Sequence, residues 1–191
     1  MRSALLPFSS VLVFVVLSSA SNAQDTVSRR LPIDWNAVNR EATSASSTEA
    51  LQTYRASSPP NLDDTRVPVL IIGSGPVRSA PRIKTQDYTY VASYALDRDA
   101  TMSIMGTSLG TTLSAADAPA ADLSVPSSGA FTPLDDEGNS SGGNEADYSF
   151  NKFGASYTLR LSCRQPGDER CLESAFAESV ANTLVAVGGK P

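Results

Sequence analysis

The sequence contains no histidine, only two cysteines and few aromatic residues. Without histidine there is no Ser-His-Asp or Cys-His nucleophile and no imidazole ligand for the usual zinc sites. Lys and Arg number 15 against 20 Asp and Glu, a formal net charge of −5. No basic run stands out, and the aromatics are not interleaved with basic residues. The electrostatic footprint of a nucleic-acid binder is therefore missing. The basic face with which a helix attaches to an anionic membrane is missing too. Past the first residues, no apolar stretch approaches the roughly 20 residues needed to cross a bilayer.

What is present begins with a targeting pattern. Arg2 supplies a positive start, Ala4 to Leu17 form an apolar run, and Ser21-Asn22-Ala23 places small residues where a signal peptidase reads. Residues 1–23 are expected to be removed as a signal peptide, with cleavage after Ala20 as the second choice. The run is too short for a membrane anchor, and no cysteine follows it to carry a lipid. The expected localisation is therefore export, to a periplasm or otherwise as a secreted protein. In that oxidising setting Cys163 and Cys171 are expected to pair as a structural disulfide. Their spacing is far from the C-x-x-C of redox enzymes.

The mature chain divides into an N-terminal helical segment, 24–66, and an α+β domain, 67–191, with a polar loop at about 110–147. Gln24 to Pro32 reads as loose. Asp34 is placed to cap a helix carrying Trp35, Val38 and Ala42 on one face. Ser46 and Glu49 have capping-box spacing for a second short helix with Leu51 and Tyr54. Val67 to Ile72 reads as a strand, and Pro68 puts it at an edge or at a strand start. Arg82 to Leu96 alternates, with Tyr88, Tyr90, Ala92 and Tyr94 on one face, and Asp97-Arg98-Asp99 turns it back into Thr101 to Thr107. Tyr157 to Cys163 alternates again. Leu172, Phe176, Val180 and Leu184 recur every fourth residue, so a C-terminal helix is expected to run up to Gly188-Gly189. The fold class expected is α+β: an antiparallel sheet of about four strands, covered by that helix and one or two short N-terminal helices, with one disulfide.

Four patterns bear on function. Val69 to Pro76 (VLIIGSGP) resembles the opening of a dinucleotide-binding fold. Arg78 stands at the third glycine position and the next element alternates, so it reads as a strand ending in a glycine turn. Ser149-Phe150-Asn151-Lys152 resembles the Ser-x-x-Lys signature of penicillin-recognising enzymes, where the serine opens a helix and the lysine acts as its base. Its companion motifs are absent, so Ser149 and Lys152 are only weak catalytic candidates.

Asp135, Asp136, Glu137 and Asn139, with Glu145 and Asp147, crowd one polar loop that could hold calcium. EF-hand spacing fails, because Ser140 replaces the turn glycine and Ala146 the bidentate acid. Asp135, Glu137 and Asn139 are thus weak metal candidates in what reads as a solvated loop. Asn139-Ser140-Ser141 is also a glycosylation sequon. The face of Tyr88, Tyr90 and Tyr94 could line a ligand groove or pack as core. No cofactor is implied. The function expected is that of an exported, non-catalytic binding or accessory protein of the cell envelope, whose partner is another protein or an envelope component. A small-ligand carrier using the tyrosine face is the alternative, and a hydrolase using carboxylates or Ser149 with Lys152 comes third.

Overall fold

The computed structural model describes residues 26–55, 62–75, 77, 79–113, 129–134 and 143–191. In chain order its elements are β1 (Thr26–Arg30), α1 (Trp35–Ala42), α2 (Ala45–Arg55), β2 (Val69–Ile72), β3 (Arg82–Gln86), β4 (Thr89–Ala95), β5 (Ala100–Thr107) and β6 (Leu109–Leu113). There follow β7 (Ala130–Leu134), β8 (Glu145–Lys152), β9 (Ala155–Cys163), α3 (Glu169–Leu172), α4 (Ser174–Ala181) and β10 (Leu184–Gly188). The fold is mixed α+β with antiparallel sheets and a Cys163–Cys171 disulfide.

Period-2 alternation builds the main sheet, six strands in the order β3-β4-β5-β9-β8-β7. Along β9 every second residue from Ala155 to Cys163 is buried. Its neighbours repeat the pattern, so Tyr90, Ala92, Tyr94, Met102, Ile104, Tyr157, Leu159 and Leu161 share one inward face. The hairpin of β4 and β5 forms as its pattern predicts. Asp97 closes it by accepting from the backbone N–H groups of Asp99 and Ala100 at 2.8 Å each. Between β8 and β9 the turn is Phe153-Gly154, with φ of 57° and 86°. Phe153 adopts a conformation that favours glycine, and its carbonyl accepts from Asp34 N–H at 2.9 Å, docking the start of α1.

A second layer lies on the inward face. β2 and β10 pair as a separate two-stranded ribbon, and α1 and α2 pack against β10. Asp34 caps α1 as expected, accepting from Ala37 N–H at 2.9 Å. The cap of α2 is Ser44 rather than Ser46: its hydroxyl accepts from Ser47 N–H at 3.2 Å, and the helix begins at Ala45. Val38 and Tyr54 bring the two helices into the core.

Three expectations are corrected. The main sheet has six strands, not about four, and two further ribbons exist. The extra strands lie where the sequence is polar: β1 falls in the segment read as loose and pairs with β6, and β7 falls inside the supposed loop and pairs with β8. The single C-terminal helix is really α3, α4 and then a strand. Glu173 is extended (φ −124°, ψ 144°) and breaks it once, and the chain turns into β10 after Thr183. Leu172 is 41% exposed as a result, whereas Leu184 is buried through strand pairing. Arg82 to Leu96 is likewise two strands, with Asp87-Tyr88 as their turn.

Candidate functional site

The inward tyrosines are placed by strand parity, and their hydroxyls have a structural use. One edge of β2 pairs with β10; the other presents the polar groups of Pro68, Leu70 and Ile72 to the main sheet. Tyr157 donates to Pro68 O at 2.9 Å. Tyr90 accepts from Leu70 N–H at 3.0 Å and donates to Leu70 O at 3.1 Å. Tyr94 accepts from Ile72 N–H at 3.1 Å. This ladder of phenols satisfies a buried strand edge that would otherwise carry unpaired backbone groups. Burial pushes the pKa of all three phenols well above the ordinary value, so each keeps its proton. Tyr88 is elsewhere: it sits half-buried in the β3–β4 turn, with the Arg30 guanidinium 4.9 Å and that of Arg66 6.0 Å from its ring. The tyrosine face expected from the sequence is thus largely core.

The outward face of the main sheet is mostly polar, with Val91 opposite Met105 as an apolar pair, and its residues are exposed or half-exposed. Between β8 and β9 every outward pair is bonded across the strands. Glu145 accepts from Ser162 at 3.2 Å, and Asp147 takes a two-pronged bond from Arg160 at 2.7 Å. Ser149 meets Thr158 at 3.4 Å, and Ser156 donates to Asn151 at 3.2 Å. The Asp147 carboxylate raises the pKa of Arg160.

One row across this face runs Arg82, Ser93, Ser103, Arg160 in strict register. At the usual strand spacing the two arginines stand about 14 Å apart. The serines between them are small, and the result is an open basin of about 550 Å³, lined also by Thr101 and Ser162. A second, smaller cleft of about 230 Å³ lies beside it, between α2, the Gly73-Ser74-Gly75 turn and Tyr94.

The remaining candidates are not brought together. Ser149 and Lys152 lie on opposite faces of β8: Ser149 is exposed, and Lys152 reaches the other layer, where Nζ donates to Glu41 Oε1 at 2.8 Å and to Leu184 O at 2.7 Å. The strand parity of β8 separates what a helix would place on one face, so the Ser-x-x-Lys match forms no dyad. Asp135, Glu137 and Asn139 lie outside the described residues. Among the described residues no group of three or more Cys, Asp or Glu could hold a metal ion. Among the described residues between the glycine turn and β3 none is helical, so the strand-turn-helix context of a dinucleotide site is not seen in them. Cys163 and Cys171 are bonded and buried, a state compatible with an exported protein. No described helix is long and apolar enough to cross a membrane.

Sequence reasoning missed the two sites on either side of Tyr94. The Arg82–Arg160 row depends on the register of four strands, and the cleft depends on where α2 docks. Comparison with protein-family models, with curated proteins and with solved structures returned no match.

Proposed function

We propose that this chain is an exported, non-catalytic binding protein of the cell envelope that engages an acidic segment of another exported protein on the outward face of its main sheet. The observation that carries the reading is the basin between Arg82 and Arg160, floored by Ser93 and Ser103. Among the described residues no acidic side chain lines that basin, and Arg82 takes part in none of the ion pairs. Arg160 is already held by Asp147 through two hydrogen bonds, so in a chain with a formal net charge of −5 it is the Arg82 guanidinium of this basin that selects a carboxylate from a partner. The serine hydroxyls between the two arginines offer adaptable hydrogen bonds at low entropic cost. The targeting pattern of residues 1–23 and the disulfide support export.

The test is a photo-crosslinking side chain placed at Ser103 in the cell that makes the protein, with the same side chain at exposed Glu49 on α2 as control. The expected result is one adduct from Ser103, mapped to an acidic peptide of the partner and lost with Arg82→Glu. No adduct, an adduct shared with Glu49, or one indifferent to Arg82→Glu overturns the reading.

A further inference from the structure

At the end of the main sheet where β4 turns into β5 lies another open basin, of about 310 Å³, whose lining includes Arg98, Asp99, Thr101, Ser162 and Arg164. Thr101 and Ser162 face each other across β5 and β9, and both also line the basin between Arg82 and Arg160. The two basins therefore adjoin at that pair, and the outward face carries cations at both ends of one depression.

The backbone fixes the far end. β9 finishes at Cys163, which the disulfide ties to α3, and the next residue, Arg164, donates its N–H to Asp99 O at 2.7 Å. That bond sets Arg164 beside the turn that carries Arg98, and both arginines are exposed. Of the acids nearby, Asp97 is bound by Arg170 at 2.7 Å and Glu145 accepts from Ser162 at 3.2 Å. Asp99 lines the basin itself. Two guanidiniums meet one carboxylate there, so the lining described is cationic. Arg82 pairs with Ser93, one strand over and several residues back along β4. At the usual strand dimensions it stands about 15 Å from the tip. An extended chain advances about 3.3 Å per residue, so two acidic residues with four others between them span that distance.

We propose that the tip basin is a second anchor for the acidic segment, which lies extended along β5 with one carboxylate on Arg82 and another, five positions along, on Arg98 and Arg164. The inference rests on the partner reading above and adds to it a spacing rule. Guanidiniums bind carboxylates through paired N–H bonds at each end, and the hydroxyls of Ser103 and Thr101 meet the polar backbone between the anchors. A small polyanion, or a tight cluster of acids, reaches only one end of such a depression. An extended peptide reaches both.

The experiment titrates the mature protein at low salt with two capped peptides of identical composition, and follows backbone amide chemical shifts. One has two glutamates separated by four serines; the other has the two glutamates adjacent, followed by the four serines. The spaced peptide is expected to bind about fivefold more tightly, the upper range for one exposed ion pair, and to move the amides of Ser103, Thr101 and Arg164 together. Arg98→Gln combined with Arg164→Gln is expected to lower the spaced peptide to the affinity of its isomer, with the β5 and β9 amides still dispersed as in the parent. Equal affinities, no binding by either peptide, shifts confined to one basin, or a preference that survives the double variant overturns the second anchor. Cross-linking at Ser103 reads the partner separately. An adduct lost with Arg82→Glu, but no preference between the peptides, leaves a partner held at the first basin alone. A preference without an adduct leaves the extended site and removes the partner reading.

Discussion

At the scale of single residues, the inward tyrosines look interchangeable in sequence and are distinguished only by what their hydroxyls meet. Tyr90 is 1% exposed, and its oxygen holds both polar groups of Leu70. Replacing it with Phe keeps the ring and its edge contact with Tyr157 but strands a buried N–H and a buried C=O. The expected cost is about 1–3 kcal/mol for groups left unpaired. Equilibrium denaturation in urea measures it, and Tyr54→Phe is the control because its hydroxyl leaves nothing unpaired. Equal midpoints for the two variants would remove the argument that phenols cap the edge of β2.

At the scale of elements, strands with a clean period of 2 were readable and elements made by their neighbours were not. β4, β5 and β9 each bury alternate residues, so their sequences announce both the strand and its inward face. β1 and β7 carry no such signal, because pairing partners far along the chain decide them. Leu172, Phe176, Val180 and Leu184 keep helical spacing, but the break at Glu173 and the pairing of Leu184 with Ile72 are tertiary facts. The candidate sites follow the same division. The tyrosine parity was legible, whereas the missing partner of Tyr54 and the Arg82–Arg160 row were not.

The four-residue α3 illustrates how such an element is held. Arg170 binds Asp168 through Nε at 2.9 Å and Nη2 at 2.6 Å, and reaches Asp97 in the β4–β5 turn at 2.7 Å. The adjacent disulfide closes a short loop, worth about 2.5 kcal/mol on the chain-entropy model. Arg170 holds both carboxyls below the ordinary aspartate value of 3.8. Each aspartate therefore binds its proton more weakly folded than unfolded. The contribution of the clamp is complete above the ordinary value and is lost as pH falls through the lower folded values. Melting temperatures recorded from about pH 5 down to pH 2 should fall less steeply in Arg170→Gln than in the parent. Parallel acid limbs would show that the clamp contributes nothing to the pH dependence.

At the scale of the whole molecule, two layers must be joined, and Lys152 joins them. Its backbone belongs to β8 in the main sheet, while its ammonium binds Glu41 on α1 and the carbonyl of Leu184 on β10. One side chain thus connects the sheet, the helices and the small ribbon, and it is only partly exposed, at 28% for the side chain. Lys152→Met keeps the aliphatic stem but leaves a carboxylate and a carbonyl without their donor, at an expected cost of about 1–3 kcal/mol. The distribution of that loss is more informative than its size. Central strands β5 and β9 open only with global unfolding, whereas β10 is held from one side by β2 and from the other by the helices. Hydrogen exchange should therefore show β10 and α1 amides exchanging faster in Lys152→Met by more than the loss of global stability explains, with β5 and β9 tracking the global value. Uniform acceleration across all four elements would mean that the phenol ladder and apolar packing already fuse the layers, with the ammonium adding nothing specific to their junction.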